Sequence, residues 1–358
     1  MTLPIPRPRS AIKPLLALIC AMLAALPAFA GDIVTRDTFV NHKSVDGVYA
    51  KYKLDPAVLI HVREVVLEGN ELRAAREGKV LVLAHGLTTP GFIAFDTPCD
   101  GCSMMRFFAL AGWDVFALDY EGYGRSTRQP SMEYPEAFPD APPPTLTEVD
   151  VDDLGRVVDW VRDTRGVGKV HLLGWSLGAS RTAPIYTIQH ADRVAKLVLF
   201  APAYRSLGPV FEPGRANAES SKAKKVLLTR PSLAGFIRFG AKEEGLIPGG
   251  FEAYRDGMLG GDPRSAEFGG QIRYPAGRLY DFLRANPQFD ASRVTVPTLI
   301  IRGTQDTFGS TEDGQKLLSE LGASTKKFVE IPNGSHNLPF EKVNRLFYQT
   351  VQEFLEAN

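Results

Sequence analysis

The sequence predicts an α/β protein in which one doubly wound, mainly parallel sheet carries a helical segment inserted late in the sheet. From Val80 onward, short apolar runs alternate with helix-like stretches, a pattern typical of a parallel sheet covered by helices on both faces. Between residues 203 and 290 the pattern changes to helix-like pieces separated by Gly and Pro. The composition, 44% hydrophobic and 23% charged over 358 residues, is that of an ordinary globular protein.

The charge balance argues against nucleic acid as a partner. The chain has 41 Lys and Arg residues and 41 Asp and Glu residues, so its formal net charge is zero. Binding to a phosphate backbone draws on a basic surface that releases counterions, and this composition supplies no excess of basic residues. We therefore expect no nucleic acid as a partner. A small-molecule partner is expected from the motifs described below.

Residues 1–30 predict a signal peptide that is not part of the fold. A positively charged start is followed by an uncharged apolar run over residues 15–26. Small residues occupy the positions that a signal peptidase recognises, and they predict cleavage after Ala30. A membrane anchor needs about 20 apolar residues, and Pro27 interrupts this run. We expect an exported protein, periplasmic or secreted, with no membrane span in its mature form. The residues that carry this prediction are Arg7, Arg9, Lys13, Ala28 and Ala30.

The core of the fold is predicted in two parts, residues 31–202 and 291–358. Buried strands are expected at short, mainly apolar runs, at residues 79–84, 113–118, 170–173, 196–200, 298–302 and 328–331. Helices are expected at residues 104–111, 149–164 and 179–189, from Ser310, and at the C-terminus. Several Asp residues open the second of these helices, which suits the positive end of a helix dipole, and Pro184 predicts a kink in the third.

The segment 203–290 between the two parts is predicted as a helical lid. It contains no apolar run that predicts a buried strand, but it is rich in aromatic residues. We expect some of these rings to form a small core of the lid and others to face the cleft below it. They include Phe211, Phe236, Phe239, Phe251, Tyr254, Tyr274, Tyr280 and Phe282.

The pentapeptide Gly174-Trp175-Ser176-Leu177-Gly178 predicts a catalytic nucleophile at Ser176. It follows a predicted strand and precedes a helix-compatible run, which is the context of a G-x-S-x-G nucleophile elbow. A serine in such a turn adopts an unfavourable backbone conformation with strand and helix packed close to it, so the flanking positions favour glycine. The pentapeptide alone is a weak signal, and the strand and helix around it make it specific.

A serine hydroxyl needs a base and an orienting carboxylate to become a nucleophile. His336 is the predicted base, because it lies in a turn that follows a predicted strand and therefore stands above the sheet. The other five histidines lie in strands, at a helix end or in the N-terminal part, and we expect structural roles for them. They are His42, His61, His85, His171 and His190.

Asp306 is the predicted acid, since it follows the strand at 298–302 and precedes His336 by thirty positions. Glu312 and Asp313 are nearby alternatives. The sequence around them resembles the start of a helix, where acidic residues interact with the dipole.

Two backbone N–H groups are predicted to bind the oxyanion of the reaction. One belongs to Leu177, next to the nucleophile, and the other to Leu87, after the strand at 79–84. Trp175 and the lid aromatics predict contacts with an apolar part of the substrate.

Five motifs in this order resemble the α/β-hydrolase superfamily, in its lidded branch. They are His85-Gly86, the run from Asp119 to Ser126, the pentapeptide around Ser176, the run from Gly303 to Asp306, and Gly334-Ser335-His336. The order serine, aspartate, histidine is also the one found in that superfamily. The resemblance covers the chain from about Val80 to the C-terminus apart from the lid. It implies hydrolysis by an acyl-enzyme mechanism, with no metal and no organic cofactor.

Cys99 and Cys102 are the cysteines that remain once residues 1–30 are removed. In an oxidising compartment we expect a disulfide between them. A redox role and two free thiols are the alternatives. A zinc site would need further ligands, which the sequence around them lacks.

The sequence thus predicts a secreted serine hydrolase that cleaves a carboxylic ester. An aminopeptidase or amidase of the same fold is an alternative, with Glu243, Glu244 and Glu252 as candidates to bind a substrate amine. A catalytically silent binding protein is the third hypothesis.

Overall fold

The computed structural model describes residues 31–357, so the predicted signal peptide lies outside the described residues. The strands within this range are β1 (Ile33–Lys43), β2 (Ala57–Leu67), β3 (Val80–Ala84), β4 (Asp114–Leu118), β5 (Val170–Trp175), β6 (Val194–Phe200), β7 (Val226–Thr229), β8 (Ile272–Pro275), β9 (Thr298–Gly303) and β10 (Lys326–Ile331). The α-helices are α1 (Gly47–Tyr52), α2 (Glu71–Arg76), α3 (Gly91–Ala94), α4 (Met104–Leu110), α5 (Pro130–Glu133), α6 (Thr147–Arg165), α7 (Ala183–Gln189), α8 (Gly208–Arg215), α9 (Leu233–Arg238), α10 (Gly250–Gly261), α11 (Gly277–Arg284), α12 (Thr311–Glu320) and α13 (Asn344–Glu356).

Eight of these strands form one sheet, in the order β1-β2-β4-β3-β5-β6-β9-β10. From β4 to β10 every neighbouring pair is parallel, and β2 is antiparallel to both of its neighbours. The predicted doubly wound, mainly parallel sheet is confirmed. The carboxyl ends of its parallel strands meet at one edge, where a ligand site is expected in this architecture.

The sheet separates two hydrophobic cores, one on each face. Along β3, Val80, Val82 and Ala84 belong to one core, whereas Leu81 and Leu83 belong to the other. Helix α6 packs on the first core and α13 on the second. Because successive side chains of a strand point to opposite faces, a strand buried on both faces is apolar throughout, and this is why the central strands can be read from the sequence.

The N-terminal strands β1 and β2 were not predicted from the sequence. They form an antiparallel hairpin that extends the sheet on the β4 side. Strand β1 is the edge strand, and Val40 is its single fully buried residue. An edge strand with so little burial has no apolar run, so its sequence gives no strand signal.

The helix after the nucleophile elbow differs from the prediction in one detail. A π-helical turn, Gly178–Thr182, comes first, and α7 begins at Ala183 with Pro184 in its first turn. Proline has no N–H and is accepted in the first turn of a helix. The prediction was a kink at Pro184, whereas the structure has a wider, π-helical turn that ends before the proline.

The segment 203–290 lies between β6 and β9 and contains α8 to α11. It also contains a two-stranded antiparallel sheet of β7 and β8, so the expectation that no buried strand occurs there was wrong. All four residues of β8 are buried. One of them is Arg273, whose charge is satisfied by Asp262 and Glu133. The strand therefore contains no apolar run by which the sequence could reveal it.

In the part of the chain that the structure describes, residues 31–357, none of the helices combines the length and the hydrophobicity that a membrane span requires.

Candidate active site

Ser176 lies in a tight turn between β5 and the π-helical turn. Its φ is +59°, a left-handed conformation that is costly for a residue with a side chain. The turn needs glycine on its helix side, because a Cβ at Gly178 would lie 2.3 Å from the carbonyl oxygen of Ala84. The strand β3 therefore packs directly beneath the turn, which holds the hydroxyl above the end of the sheet.

His336 lies in the loop after β10, as predicted. Its Nε2 is 2.9 Å from Oγ of Ser176, a hydrogen-bonding distance across 160 positions of sequence. Both side chains are almost completely buried. The sequence-predicted base and nucleophile are therefore in contact.

Asp306 lies in the loop after β9, and its Oδ2 is 3.1 Å from Nδ1 of His336. Its other oxygen accepts a hydrogen bond from the N–H of Phe308 at 2.7 Å. The carboxylate is thus fixed on both sides and faces the imidazole. The three predicted residues form one hydrogen-bonded chain from carboxylate to hydroxyl.

The two alternative acids have other roles. Asp313 accepts hydrogen bonds from the backbone N–H groups of three consecutive residues, 204 to 206, and so ties the loop after β6 to α12. Its own N–H is capped by the side chain of Ser310, as expected for a helix start. Glu312 is exposed in the first turn of the same helix.

The loop of His336 is held by two backbone hydrogen bonds. The N–H of His336 donates to the carbonyl of Phe239 at 3.2 Å, and its carbonyl accepts from Nε1 of Trp175 at 3.1 Å. The imidazole is also flanked by the rings of Phe308 and Phe239, at centroid distances of 4.7 and 5.3 Å. Trp175, predicted for substrate binding, lines the cavity described below and also anchors the loop of the base.

Phe308 is a site residue that the sequence analysis missed. Its ring packs on the imidazole and its N–H holds Asp306. In the sequence, the one feature that could have indicated this role is its position two residues after Asp306, the predicted acid.

Residues 85–87 after β3, named the oxyanion loop here for the role predicted for Leu87, lie against Ser176. A Cβ built on Gly86 would be 2.9 Å from Cβ of Ser176, so only glycine allows this approach. Gly86 and Leu87 line the same cavity as Ser176 and His336. Leu177 follows the nucleophile directly, and the two predicted oxyanion donors therefore belong to segments that meet at Ser176.

A cavity of about 140 Å³ opens onto Ser176 and His336. Its wall is mainly apolar and includes four of the eight aromatic residues singled out in the inserted segment. The apolar lining residues are Leu87, Trp175, Phe211, Phe236, Phe239, Tyr254, Met258 and Phe308. The remaining aromatic residues of the segment pack elsewhere, as Phe251 does against Phe236.

Arg230 is the charged side chain among the residues that line this cavity. It is exposed and donates a hydrogen bond to the carbonyl of Gly269. None of Glu243, Glu244 and Glu252, the candidate amine-binding residues, is among the lining residues.

The other five histidines have partners other than the hydroxyl of Ser176. Burial, together with the nearby charge of Arg278, holds the pKa of His85 well below its ordinary value. Burial, with the charge of Lys196, lowers the pKa of His171 to about 4. His61 lies between Asp119 and Asp37, and His42 contacts Asp152. That these histidines have structural roles stays a prediction.

Cys99 and Cys102 are paired in the structure, with their Cα atoms 5.3 Å apart. That separation lies within the range of disulfides. Both sulfur atoms lie beside Gly250, the first residue of α10. Within the described residues, no group of three His, Cys, Asp or Glu side chains is arranged to hold a metal ion.

The chain is similar to known hydrolases in sequence and in fold. Over 259 residues the chain is 27% identical to a 2-hydroxy-6-oxononadienedioate/2-hydroxy-6-oxononatrienedioate hydrolase of Klebsiella pneumoniae, covering 71% of this chain and 80% of that protein. Among solved structures, a monoglyceride lipase from Saccharomyces cerevisiae matches with a TM-score of 0.61 and 16% identity, over 90% of this chain and 94% of that one.

An esterase from Exiguobacterium antarcticum matches with a TM-score of 0.59 and 18% identity, over 89% of this chain and 99% of that one. At such identities the structural matches establish the fold alone. The family model described as the alpha/beta hydrolase family matches residues 81–349, a range that includes all three residues of the hydrogen-bonded chain, and the protein belongs to this family of hydrolases.

Proposed function

We propose that the protein is an exported serine hydrolase that cleaves a carboxylic ester through an acyl-enzyme. The observation that carries this proposal is the chain of hydrogen bonds from Asp306 through His336 to Ser176. Such a chain activates a serine hydroxyl as a nucleophile.

In the proposed mechanism, Nε2 of His336 accepts the proton of Ser176 as Oγ attacks the ester carbonyl. The N–H groups of Leu87 and Leu177 hydrogen-bond the negative oxygen of the tetrahedral intermediate. The imidazolium then protonates the departing alcohol, which leaves an acyl group on Oγ. A water molecule, deprotonated by the same imidazole, then attacks the acyl carbon. The bond from this carbon to Oγ breaks, the imidazolium returns the proton to Oγ, and the acid is released. Asp306 stabilises the imidazolium in both steps.

The size and lining of the cavity support a small apolar group on the substrate. Its volume of about 140 Å³ is close to that of cavities that hold one benzene ring, about 150 Å³. We therefore expect short acyl chains or a single aromatic ring to be preferred over long acyl chains.

A substrate with a carboxylate is a second candidate. Arg230 favours it, since this cation is placed at the cavity wall and an acid is absent from the lining residues. The relative from Klebsiella pneumoniae, named as a hydrolase of 2-hydroxy-6-oxononadienedioate, points the same way. The same lining disfavours an aminopeptidase, which needs an acidic group for the substrate amine.

Export rests on the charge and apolar pattern of residues 1–30 and is tested separately. We expect N-terminal sequencing of the protein from the periplasm or the medium to begin at Gly31. A protein that stays in the cytoplasm and begins at Met1 would contradict the proposal.

A fluorophosphonate probe tests the nucleophile and separates an enzyme from a silent binding protein. We expect stoichiometric labelling of the protein and none of Ser176→Ala, with Ser319→Ala, an exposed serine of α12, as the control that is still labelled. If the protein is not labelled, or if Ser176→Ala is labelled as well as the parent, the covalent mechanism is wrong.

A substrate panel then separates the candidates. We expect hydrolysis of short p-nitrophenyl esters and none of aminoacyl anilides. If Arg230 binds a carboxylate, Arg230→Met raises KM for a p-nitrophenyl hemisuccinate ester and leaves KM for the butyrate ester unchanged.

A further inference from the structure

Arg278, in the first turn of α11, is buried in the interior although it belongs to the inserted segment. Its Nε lies 2.6 Å from Oδ2 of Asp150 on α6, so its charge is paired. The guanidinium group also donates two hydrogen bonds to backbone carbonyls. One goes to His85, at 3.1 Å, and the other to Gly86.

These two carbonyls belong to the loop that carries the proposed oxyanion donor. The carbonyl of Gly86 and the N–H of Leu87 are the two ends of one peptide group. A peptide group is planar and trans, so its carbonyl and its N–H point in opposite directions. A side chain that fixes the carbonyl of Gly86 therefore also fixes the direction of the N–H of Leu87.

The same peptide group is held by a second donor. Nδ1 of His85 lies 2.9 Å from the carbonyl oxygen of Gly86, and Nε2 of that imidazole accepts from the N–H of Tyr120 at 3.3 Å. Hydrogen bonds to a carbonyl polarise the peptide group and strengthen its N–H as a donor. The charge of Arg278 adds to this polarisation at a site that water does not reach.

The rest of the loop is also fixed around the guanidinium group. The hydroxyl of Tyr123 donates to the carbonyl of Leu87. The Cζ atom of Arg278 lies 4.8 Å from the ring centroid of Tyr120 and 5.2 Å from that of Tyr123, so both rings cover the cation. Arg278 thus lies at the centre of the contacts that orient the loop.

Arg273 provides a comparison within the same segment. Its side chain is equally buried and is paired with Asp262 and Glu133. Its hydrogen bonds go to those two carboxylates, and none goes to the oxyanion loop. Burial and ion pairing are therefore common to the two arginines, and contact with the oxyanion loop distinguishes Arg278.

We infer that Arg278, held by Asp150, is a positioning residue that orients the Gly86–Leu87 peptide group so that its N–H can stabilise the oxyanion. This inference rests on the proposed function. Arg278 does not contact the reacting atoms, and its effect passes through the backbone of the loop.

The first test is Arg278→Lys, with Arg273→Lys as the matched control. A lysine keeps the charge, but it cannot bond Asp150 and both carbonyls in the fixed geometry of a guanidinium group. Removal of an oxyanion donor costs about 100- to 1,000-fold in kcat, and we expect misorientation to cost about 10- to 100-fold, with KM changed less than about 3-fold. Arg273→Lys should keep the parent kcat.

Inhibition by a trifluoromethyl ketone, which forms a tetrahedral adduct with a serine, provides a second readout. The inhibition constant of the folded protein does not depend on the stability of the variant. This constant should rise by the same factor by which kcat/KM falls in Arg278→Lys. Equal inhibition constants for Arg278→Lys and the parent, or an unchanged kcat, would overturn the inference.

A double variant, Asp150→Leu/Arg278→Met, covers the case in which Arg278→Lys does not fold. Replacement of a buried ion pair by apolar residues is often neutral for stability. We expect the folded double variant to lose kcat and inhibitor affinity together, and parent values in it would contradict the inference. Failure of the proposed function has a different signature, because the parent protein would then lack Ser176-dependent activity.

Discussion

Asp306, the proposed catalytic acid, and Asp313, an alternative to it, differ in what their carboxylates contact. One oxygen of Asp306 faces Nδ1 of His336, and the other is held by the N–H of Phe308. Asp313, by contrast, accepts hydrogen bonds from three successive backbone N–H groups. The choice between these acids follows from what each carboxylate contacts.

Asp306→Asn should lower kcat by about 1,000- to 10,000-fold and leave KM nearly unchanged. The amide lacks the charge that stabilises the imidazolium and favours the wrong tautomer of His336. Steady-state kinetics with a p-nitrophenyl ester measures the loss, and Glu312→Gln is the control. An equal loss in both variants would mean that Asp306 has no special role.

The sequence predicts Ser176, Asp306 and His336 because each follows an apolar strand in a short recognisable motif. Arg278 has no such signal. It lies 192 positions from Gly86, whose carbonyl it binds, and the residues around it in the sequence indicate only the start of a helix. Contacts between distant segments leave no local pattern.

At the scale of elements, the inserted segment forms much of the cavity wall. Helix α10 contributes Tyr254 and Met258, and the hydroxyl of Tyr254 lies 2.9 Å from Oγ1 of Thr89 beside the oxyanion loop. The helix thereby joins the loop to the wall, and under the proposed function it limits the space for an acyl chain.

Met258→Ala should raise kcat/KM for p-nitrophenyl octanoate relative to the butyrate, because it removes side-chain volume from a wall with little spare space. Leu259→Ala, the next residue on the helix and not part of the wall, is the control. The ratio of the two specificity constants is the measurement. An unchanged ratio in Met258→Ala would show that this wall does not limit acyl length.

Elements differ in how far the sequence reveals them. Strands β3, β5 and β9 are buried on both faces and read as apolar runs, whereas β1 is exposed along most of its length. Strand β8 is buried but contains a paired arginine. An apolar pattern in the sequence reveals strands whose buried residues are apolar. It misses strands that lie at the edge of a sheet, and strands that contain a buried, ion-paired residue.

At the scale of the whole molecule, a group of buried carboxylates lies between the turn after β4 and α6. Glu121 is fully buried, and its N–H donates to Oδ2 of Asp153. Burial raises the pKa of Glu121 to about 8, and Asp46 adds to the rise while Ser44 opposes it. The folded protein therefore holds a proton that the unfolded chain releases at lower pH.

The contribution of Glu121 to stability should be greatest below pH 4.5 and lost as the pH rises to about 8. Glu121→Gln removes this titration, so its free energy of unfolding relative to the parent should increase with pH over this range, by up to about 1.4 kcal/mol per pH unit. Urea unfolding at several pH values measures the difference, with Glu148→Gln, an exposed carboxylate of α6, as the control. Parallel curves for Glu121→Gln and the parent would contradict the assignment.

The central claim is that Ser176 carries the acyl group of the substrate during turnover. The most direct measurement is acid quenching of the protein with p-nitrophenyl acetate in the first turnovers, followed by mass spectrometry of its peptides. We predict an acetyl group on Ser176 and none on the corresponding peptide of Ser176→Ala, which should also lose hydrolysis. An acetyl group on another side chain, or hydrolysis by Ser176→Ala at the parent rate, would contradict the account.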